Sequence, residues 1–387
     1  MKRCLWITRQ DPRPADSGDL IYTIGLLQAL AATDECRITV LAHRAPHNAG
    51  ETLPGIHCEL PVGVPKKSLL CLLSKLPSDA HRLGGREMRE ALWDLLQEDF
   101  DCVVIDQAAN AWALDLIPRE MRVIYISHNH EASVRAEVAE SGEGSPLFRW
   151  ALTKDAMKYA RLEDRLAERA DAISAITPRD ASIYKREFPE KRIKIISPGY
   201  SRRIPESLPP LVERTPRRVV LAGTFEWLAK RRNLEAFLTE SAEPFEKANI
   251  AFHVVGKCDP AYFAKLSEEF PQVSFFPNVR SMDPHLGDAR IGLIPEALGG
   301  GFKLKALDYI FRGLPLASIG PALSGLPLNP GRDCLAAGST SELAELIADR
   351  IDDLEFLNQA AANALEKCRG AFHWSDRGKA LARLLTP

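Results

Sequence analysis

The stretch best suited to chemistry is a glycine-rich turn that leads into a short helical pattern, residues 299–309. Gly300 and Gly301 stand just after a predicted strand, and Lys305 follows in the first turn of the predicted helix. Glycine lets the backbone approach a phosphate closely, and a helix N-terminus favours an anion. Asp308 lies one turn further on and can accept hydrogen bonds from ribose hydroxyls. The stretch favours a phosphate-binding loop. The alternative is a flexible loop before an ordinary helix with solvated lysines.

A second basic loop follows another predicted strand. Gly223 and Thr224 come directly after that strand, and three consecutive cations, beginning with Lys230 and Arg231, precede a helix predicted to start near Asn233. Cations oppose the dipole at a helix N-terminus, so a bound pyrophosphate would explain their position. The alternative is a solvated basic turn, which is what most charge runs are.

A loop rich in histidine follows a strand in the first half of the chain. It contains His128, His130 and Glu131. Imidazole and carboxylate groups at a strand end suit acid–base chemistry or hydrogen bonding to sugar hydroxyls. A metal site is the other option, but no further ligands at suitable spacing accompany these residues.

The loop after the first predicted strand is a candidate for binding an acceptor. It includes Asp16, Ser17 and Gly18. The competing interpretation is local, since Ser17 or Asp19 can cap the helix that follows.

Alternating strands and helices position these loops. The 387 residues are 45% hydrophobic and 26% charged, which is typical of a soluble globular chain long enough for two domains. Continuous apolar runs separated by helical patterns predict parallel sheets covered on both faces. The predicted strands of the first half are residues 5–8, 38–41, 102–105, 123–126, 171–174 and 193–196. Those of the second half are residues 219–222, 252–255, 273–276, 291–294 and 315–318.

A proline-rich segment separates the two series and sets the predicted domain boundaries. Residues 1–199 form a first Rossmann-like domain on the acceptor side, and 200–216 form a linker. Residues 217–370 form a second Rossmann-like domain, on the donor side, and 371–387 form a C-terminal helix. The fold class is therefore α/β, with two Rossmann-like domains facing across a cleft. Open α/β sheets bind ligands beyond the carboxyl ends of their strands.

Net charge and cysteine usage narrow the expected partners and the expected cellular location. The net charge of −2 provides no nucleic-acid footprint, and the eight cysteines are scattered without disulfide or zinc spacing. We expect a cytoplasmic protein, because the first residues lack a signal peptide and no run is long enough to span a bilayer. The apolar segment 66–76 carries flanking lysines. It is interpreted as a buried helix or, as the alternative, as a peripheral contact with the inner membrane face.

Together these stretches resemble the GT-B glycosyltransferases, and within them glycosyltransferase family 4. Residues 301–309, followed by Gly313 to Leu316, look like the donor-site signature of that family. Residues 223–233 are similar to its first phosphate loop, and residues 128–131 to an HN-x-E segment. Trp374 resembles the point where the last helix crosses back to the first domain. The family carries two glutamates eight positions apart, where this chain has Gly300 and Asp308.

The resemblance implies a retaining, metal-independent transfer of a sugar from a nucleotide-diphosphate donor, with no cofactor. The implied acceptor is a glycan or a lipid-linked glycan in polysaccharide or glycoconjugate biosynthesis. The implied catalytic residues are Lys230, Lys305, His128 and Glu131. The implied donor ligands are Gly223, Thr224, Arg231, Gly300, Gly301, Phe302 and Asp308, and the implied substrate ligands are Asp16, Ser17, Gly18 and His130. Glu296, on the same loop, is a candidate to replace the glutamate absent at Gly300.

Two other functions remain open. A nucleotide-sugar epimerase would bind the same donor without an acceptor. A non-catalytic partner subunit would account for the missing glutamate at Gly300.

Overall fold

Parallel strands built from continuous apolar runs form the centre of each half of the molecule. The computed structural model describes residues 1–45, 52–65, 71, 73–141 and 145–386. The chain divides into two compact units. Unit 1 comprises Met1–Ser201 with Phe372–Pro387, and unit 2 comprises Arg202–Ala371.

Unit 1 contains a seven-stranded sheet with parallel pairing throughout. Its strands are β1 (Lys2–Gln10), β2 (Cys36–His43), β3 (Ile56–Glu59), β4 (Cys102–Asp106), β5 (Arg122–Ser127), β6 (Ala172–Ala175) and β7 (Arg192–Ile195). Their spatial order is β3-β2-β1-β4-β5-β6-β7. The chain therefore moves outward from β1 in one direction and from β4 in the other.

Helices cover this sheet. They are α1 (Gly18–Ala31), α2 (Ser78–Leu83), α3 (Arg86–Leu95), a 3-10 helix (Ala108–Asp115), α4 (Glu131–Glu140), α5 (Pro146–Arg169), α6 (Pro178–Glu187) and, from the end of the chain, α13 (Trp374–Leu385). The hydrophobic core joins strand residues such as Ile105 and Tyr125 to helix residues such as Tyr159 and Leu166.

Unit 2 repeats the design with a six-stranded parallel sheet. Its strands are β8 (Arg218–Thr224), β9 (Ala251–Lys257), β10 (Val273–Pro277), β11 (Ile291–Ile294), β12 (Leu316–Ile319) and β13 (Leu335–Ala337), in the order β10-β9-β8-β11-β12-β13. The helices are α7 (Leu228–Lys247), α8 (Pro260–Glu269), α9 (Asp283–Gly287), α10 (Leu304–Phe311), a 3-10 helix (Gly320–Leu323), α11 (Thr340–Arg350) and α12 (Leu354–Arg369).

The start of α7 differs from the prediction. The helix begins at Leu228 rather than near Asn233, so Lys230, Arg231 and Arg232 lie inside its first turns instead of before it. Trp227 is the N-cap residue and makes no side-chain cap. The helix therefore starts without the Ser, Thr, Asp or Asn signal that sequence reasoning depends on.

The last helix, α13, contacts α1 of unit 1, in agreement with the prediction that it packs back on the first domain. The ring of Trp374 packs against two glycines, and a Cβ atom would lie 2.2 Å from the ring at Gly25 and 2.5 Å from it at Gly199. Its indole Nε1 donates to Ser201 Oγ at 2.9 Å. The absence of side chains at Gly25 and Gly199 thus makes room for the ring that holds α13 on unit 1.

Replacing Trp374 with Ala is expected to lower the free energy of unfolding by about 3 kcal/mol, because the truncation leaves a cavity beside α1. Thermal unfolding checks the loss, and hydrogen exchange should show α13 released first. Trp93→Ala is the matched control, since this tryptophan is 58% exposed. Equal melting temperatures for the two variants would contradict the prediction.

Candidate functional site

The topological switch point of unit 2 lies between β8 and β11. From these neighbouring strands the chain proceeds to opposite edges of the sheet, the arrangement that opens a binding crevice at the carboxyl ends. β11 pairs with β8 at Ile291 and Gly292. Beyond that pairing, the Tyr309 hydroxyl accepts from the backbone N–H of Ala222 at 2.8 Å. The loops that leave β8 and β11 are residues 225–227 and 295–303, the two regions singled out by sequence.

Three lysines converge on one buried carboxylate at this point. Glu296, with only 2% of its side chain exposed, forms an ion pair with Lys230. Its Oε2 also lies 3.0 Å from Lys303 Nζ, and its Oε1 lies 2.7 Å from Lys305 Nζ. The structure therefore brings Lys230 and Lys305 together, although they are 75 positions apart in the chain. We call Lys230, Lys303, Lys305 and Glu296 the lysine cluster.

Backbone geometry holds the glycine loop next to the lysine cluster. Gly299 and Gly301 have φ values of +98° and +73°, which side-chain-bearing residues rarely adopt. Asn233, from α7, clamps the loop by donating to the carbonyl of Leu298 and accepting from its N–H, at 2.8 and 2.9 Å. Lys303 Nζ donates to the carbonyl of Gly300 at 2.7 Å. The loop is thus tied to α7 and to the cluster.

The charges of the cluster shift the pKa values of its members. Burial alone would raise the pKa of Glu296, but attraction to Lys230, Lys305 and Lys303 lowers it well below its usual range. Burial, and repulsion by Lys303 and Lys305, depress the pKa of Lys230 to about 7 despite the attraction of Glu296. Water still reaches 34% of the Lys230 side chain, and its solvation of the ammonium group limits this depression of the pKa.

The lysine cluster carries more positive than negative charge. With all groups ionised, three ammonium groups face one carboxylate, an excess of two positive charges. Partly buried like charges repel strongly because little water screens them. A bound dianion would relieve that repulsion, so the cluster is suited to a phosphate or diphosphate.

The other predicted donor ligands lie on β8, α7, the glycine loop and α10. Gly223 and Thr224 end β8, and a Cβ atom at Gly223 would lie 3.6 Å from Lys305 Nζ. Phe302 is buried, whereas Asp308 is half-buried one turn after Lys305. The Arg231 side chain makes other contacts. Its Nε donates to the carbonyl of Phe225 at 2.8 Å, and its guanidinium lies 4.5 Å from the centre of the Tyr262 ring.

The corresponding switch point of unit 1 lies between β1 and β4, and a buried carboxylate marks it. Asp106, the last residue of β4, accepts from Trp6 Nε1 at 3.0 Å and from Thr23 Oγ1 at 2.8 Å. Its other oxygen lies 2.6 Å from His128 Nε2. Asp106 therefore fixes the orientation of a histidine predicted to be catalytic.

Both ring nitrogens of His128 have protein partners. Nδ1 lies 3.1 Å from the side-chain amide of Gln107, whose backbone has a φ of +73°. With that amide as donor, Nδ1 accepts and Nε2–H donates to Asp106, a tautomer assigned from the network. To hydrogen bond a ligand through Nδ1, His128 must exchange its contact with Gln107.

His130 and Glu131 are engaged at the start of α4. His130 Nδ1 caps the helix by accepting from the N–H of Ser133 at 3.2 Å, and Nε2 lies 3.3 Å from Glu187. Glu131 accepts from Arg135 Nε and from Asn129 Nδ2, both at 3.0 Å. These contacts give both residues a local structural role.

A second buried carboxylate, Glu163 on α5, anchors the same loop. It accepts from the N–H groups of Glu131 and Ala132 at 3.1 and 2.7 Å, and from the hydroxyls of Tyr125 and Tyr184. Burial raises its pKa, although His130 and the bond from Tyr184 act in the opposite sense.

The loop after β1 reaches α1 through residues predicted to bind substrate. Ser17 occupies the N-cap position without capping, and its hydroxyl donates to Asp19 at 2.6 Å. Asp19 pairs with Arg9 at 2.7 Å. Gly18 is the first residue of the helix, and the N–H of Asp16 donates to the carbonyl of Pro14 at 3.0 Å.

Sequence reasoning missed Asp106, Glu163 and Lys303. An acidic residue at the end of an apolar strand, as in Cys102–Asp106, was the available signal for the first. Glu163 lies within a long helix among other charged residues, and only its burial distinguishes it.

In the part of the chain that the structure describes, no helix is long and apolar enough to cross a bilayer. No group of three or more His, Cys, Asp or Glu residues in that part is placed to hold a metal ion. Of segment 66–76, interpreted above as a buried helix or a membrane contact, residues 66–70 and 72 lie outside the described part.

The two Rossmann-like sheets and the returning C-terminal helix define the GT-B class of fold, and comparison with solved structures confirms it. The structural neighbours are GT-B glycosyltransferases. Sucrose-phosphate synthase from Thermosynechococcus elongatus aligns with a TM-score of 0.73 at 16% identity, covering 99% of this chain and 98% of that one. HepE from Anabaena, in complex with UDP-glucose, aligns with a TM-score of 0.68 at 13% identity over the whole of both chains.

WaaG, a glycosyltransferase involved in lipopolysaccharide biosynthesis, aligns with a TM-score of 0.67 at 16% identity over 99% of each chain. No family model and no curated protein matches the sequence. At these identities the likeness concerns the fold.

Proposed function

We propose that this protein is a retaining glycosyltransferase that moves a sugar from a nucleotide-diphosphate donor to an acceptor. The observation that carries the proposal is the convergence of Lys230, Lys303 and Lys305 at the switch point of unit 2. The fold is that of glycosyltransferases, one of which was solved with UDP-glucose. A cationic cluster beside a glycine loop and a helix N-terminus suits a diphosphate.

The lysines act on the bond that breaks. Cleavage of the anomeric C–O bond leaves the electron pair, and therefore negative charge, on the departing diphosphate. Lys230 and Lys305 stabilise this charge as it develops, together with the backbone at Gly300 and Gly301. The acceptor hydroxyl attacks the same face of the sugar, and its proton passes to an oxygen of the leaving diphosphate. No protein nucleophile and no metal takes part in this sequence.

Glu296 balances the lysines while the donor is absent. When a diphosphate binds, its oxygens replace some of the contacts between the Glu296 carboxylate and the lysines. The lysines therefore do not have to be brought together on binding. In the resembling family a glutamate at the position of Gly300 contacts the donor sugar. In this chain the loop that carries Glu296 makes those contacts instead, and Asp308 binds the ribose.

In unit 1, His128 and Glu131 orient the substrates, and Asp106 keeps the His128 ring in position. Asp16, Ser17, Gly18 and His130 complete the proposed acceptor side. We propose a glycan or lipid-linked acceptor and a cytoplasmic location with peripheral membrane contact, which is compatible with a structural neighbour that acts in lipopolysaccharide biosynthesis.

Binding of the diphosphate should draw a proton onto Lys230. Its pKa is depressed, so at pH 8 part of the amine is neutral, and a nearby dianion raises the pKa again. A diphosphate is itself almost fully ionised at that pH. Calorimetry of UDP or GDP binding in HEPES and in Tris should therefore show buffer-dependent enthalpies that report proton uptake.

Lys230→Arg is the control for proton uptake, because a guanidinium stays charged. Equal wild-type enthalpies in the two buffers would contradict the prediction. The same shift affects stability. The unfolded chain binds more protons between the folded and the unfolded pKa of Lys230, so the contribution of this group to stability rises with pH across that window.

Product analysis separates the transferase from its rivals. A thermal-shift screen of nucleotide sugars identifies the donor, since a ligand of the folded state raises the melting temperature. A transferase releases the nucleoside diphosphate and depends on added acceptor for product, whereas an epimerase converts the donor sugar without an acceptor. Absence of binding by every nucleotide tested would favour the non-catalytic partner subunit.

A further inference from the structure

The first turns of α5 expose large apolar side chains. Leu147 is 74% exposed, Trp150 is 52% exposed, and Phe148 and Met157 are each close to half exposed. Leu73, at 87%, is the most exposed of the large hydrophobic residues in the described part of the chain. Such side chains need an explanation when they cluster, although single ones do not.

Core packing does not provide that explanation. The inner face of α5 enters the core of unit 1 through residues from Tyr159 onward, such as Leu162 and Leu166. None of residues 145–155, all of which the structure describes, is buried. The helix is nevertheless well started, since Ser145 accepts from the N–H of Phe148 at 3.3 Å and Pro146 occupies its first turn. Its N-terminal part is thus an ordered helix that projects beyond the core.

The same part of α5 is basic. Between 145 and 161 the sequence has four cations, Arg149, Lys154, Lys158 and Arg161, and one acid, Asp155. The Asp155 carboxylate faces the neighbouring residue Ser78 and accepts hydrogen bonds from its N–H and its hydroxyl, at 2.7 and 3.1 Å. The exposed first turns of the helix therefore present apolar side chains together with positive charge.

Leu73 belongs to the same neighbourhood. Lys158 Nζ donates to the carbonyl of Cys71 at 3.1 Å, and Ser78 is held by Asp155 one turn earlier on the helix. Residues 71 and 73–78 therefore run beside α5. Leu73 and Lys75 in this segment are exposed, so they extend the basic and apolar surface at the start of the helix. We call Leu73, Lys75, Leu147, Phe148, Arg149, Trp150, Lys154 and Met157 the α5 patch.

We propose that the α5 patch docks the protein on a bilayer surface that contains anionic lipids. Trp, Phe and Leu side chains enter the boundary between headgroups and acyl chains, and Lys and Arg attract lipid phosphates. The excess of cations fits an anionic surface, whereas a second copy of the chain would bring the same positive charge against it. This inference gives a surface to the peripheral membrane contact proposed above and rests on that part of the proposed function. Docking requires no catalysis, so its failure would leave the proposed sugar transfer untouched.

Vesicle co-sedimentation of the full chain tests the proposal, with phosphatidylcholine vesicles that contain or lack 30% phosphatidylglycerol. We expect binding to the anionic vesicles, weakened by added salt. The Leu147→Ser/Trp150→Ser variant should bind roughly tenfold less or weaker still, because two apolar anchors are lost. The Arg149→Glu/Lys154→Glu variant should lose at least about 25-fold, at about fivefold for each cation removed, and the two added carboxylates are repelled by the anionic lipids as well.

Trp93→Ser is the matched control, since Trp93 is equally exposed but lies on α3 beside Glu90 and Asp94. All the substitutions are at exposed positions, and circular dichroism checks the fold of each variant. Three results would overturn the proposal. They are absence of vesicle binding, binding unchanged in both patch variants, or a concentration-dependent dimer that the patch variants abolish in solution.

Discussion

Lys305→Ala will lower sugar transfer by roughly 100-fold or more, the size of effect seen when one contact to a developing negative charge is removed. The reason is that Lys305 stands in the first turn of α10 and reaches the buried carboxylate of Glu296, where the departing diphosphate would lie. Steady-state transfer with the donor found by screening measures the loss, which should appear mainly in kcat.

Lys265→Ala provides the control, because this lysine is exposed on α8 of the same unit. It should transfer at the wild-type rate. If Lys305→Ala also kept the wild-type rate and donor affinity, Lys305 would have no part in the reaction.

Glu296→Gln will destabilise unit 2, by about 3 kcal/mol or more, because it leaves buried cations without their counter-ion. All three lysines of the cluster contact this carboxylate. Burial, together with repulsion by Lys303 and Lys305, already depresses the pKa of Lys230. A diphosphate supplies negative charge at the same place. UDP or GDP should therefore raise the melting temperature of the variant by more than that of the wild type.

Glu243→Gln is the matched control for Glu296→Gln. Glu243 also pairs with a lysine, Lys247, but both side chains are about three-quarters exposed, so its loss should change the melting temperature little. Two results would contradict the prediction: equal melting temperatures for Glu296→Gln and Glu243→Gln, or a smaller rise in melting temperature on ligand binding in Glu296→Gln than in the wild type. Either would show that Glu296 does not offset repulsion among the three lysines.

The fold could be predicted from sequence where strands are buried on both faces. Residues 102–105 of β4 and Ile291–Ile294 are continuous apolar runs in the middle of their sheets, and both were predicted. The edge strands β3 and β13 were missed. Ile56–Glu59 has four residues that alternate between half-buried and exposed, and Leu335–Ala337 has only three residues. Neither provides the longer continuous apolar run on which the other strands were predicted.

The loops of the candidate site could also be predicted, because ligands bind beyond the carboxyl ends of parallel strands. The partners of individual side chains could not. The position of Lys230 follows from α7 starting at Leu228, a start that no capping residue marks in the sequence. The meeting of Lys230 with Lys305 and Glu296 depends on β8 and β11 being neighbours, which the order of elements along the chain does not specify.

The same limit applies in unit 1. The sequence indicates that His128 follows a strand, but Asp106 and Gln107 reach it from the end of the neighbouring strand. Chemistry that depends on the tautomer of His128 is thus visible only when the register of β4 and β5 is known.

The most direct test compares how tightly the protein binds a nucleoside diphosphate and the matching nucleoside. It asks whether the carboxyl edge of the sheet in unit 2 holds a diphosphate. Isothermal calorimetry should detect UDP or GDP, with affinity that falls as salt is added. The matching nucleoside should bind at least about 100-fold more weakly, because it lacks the charges that the lysines meet. Equal affinity for nucleoside and diphosphate, or no binding of either, would contradict the account.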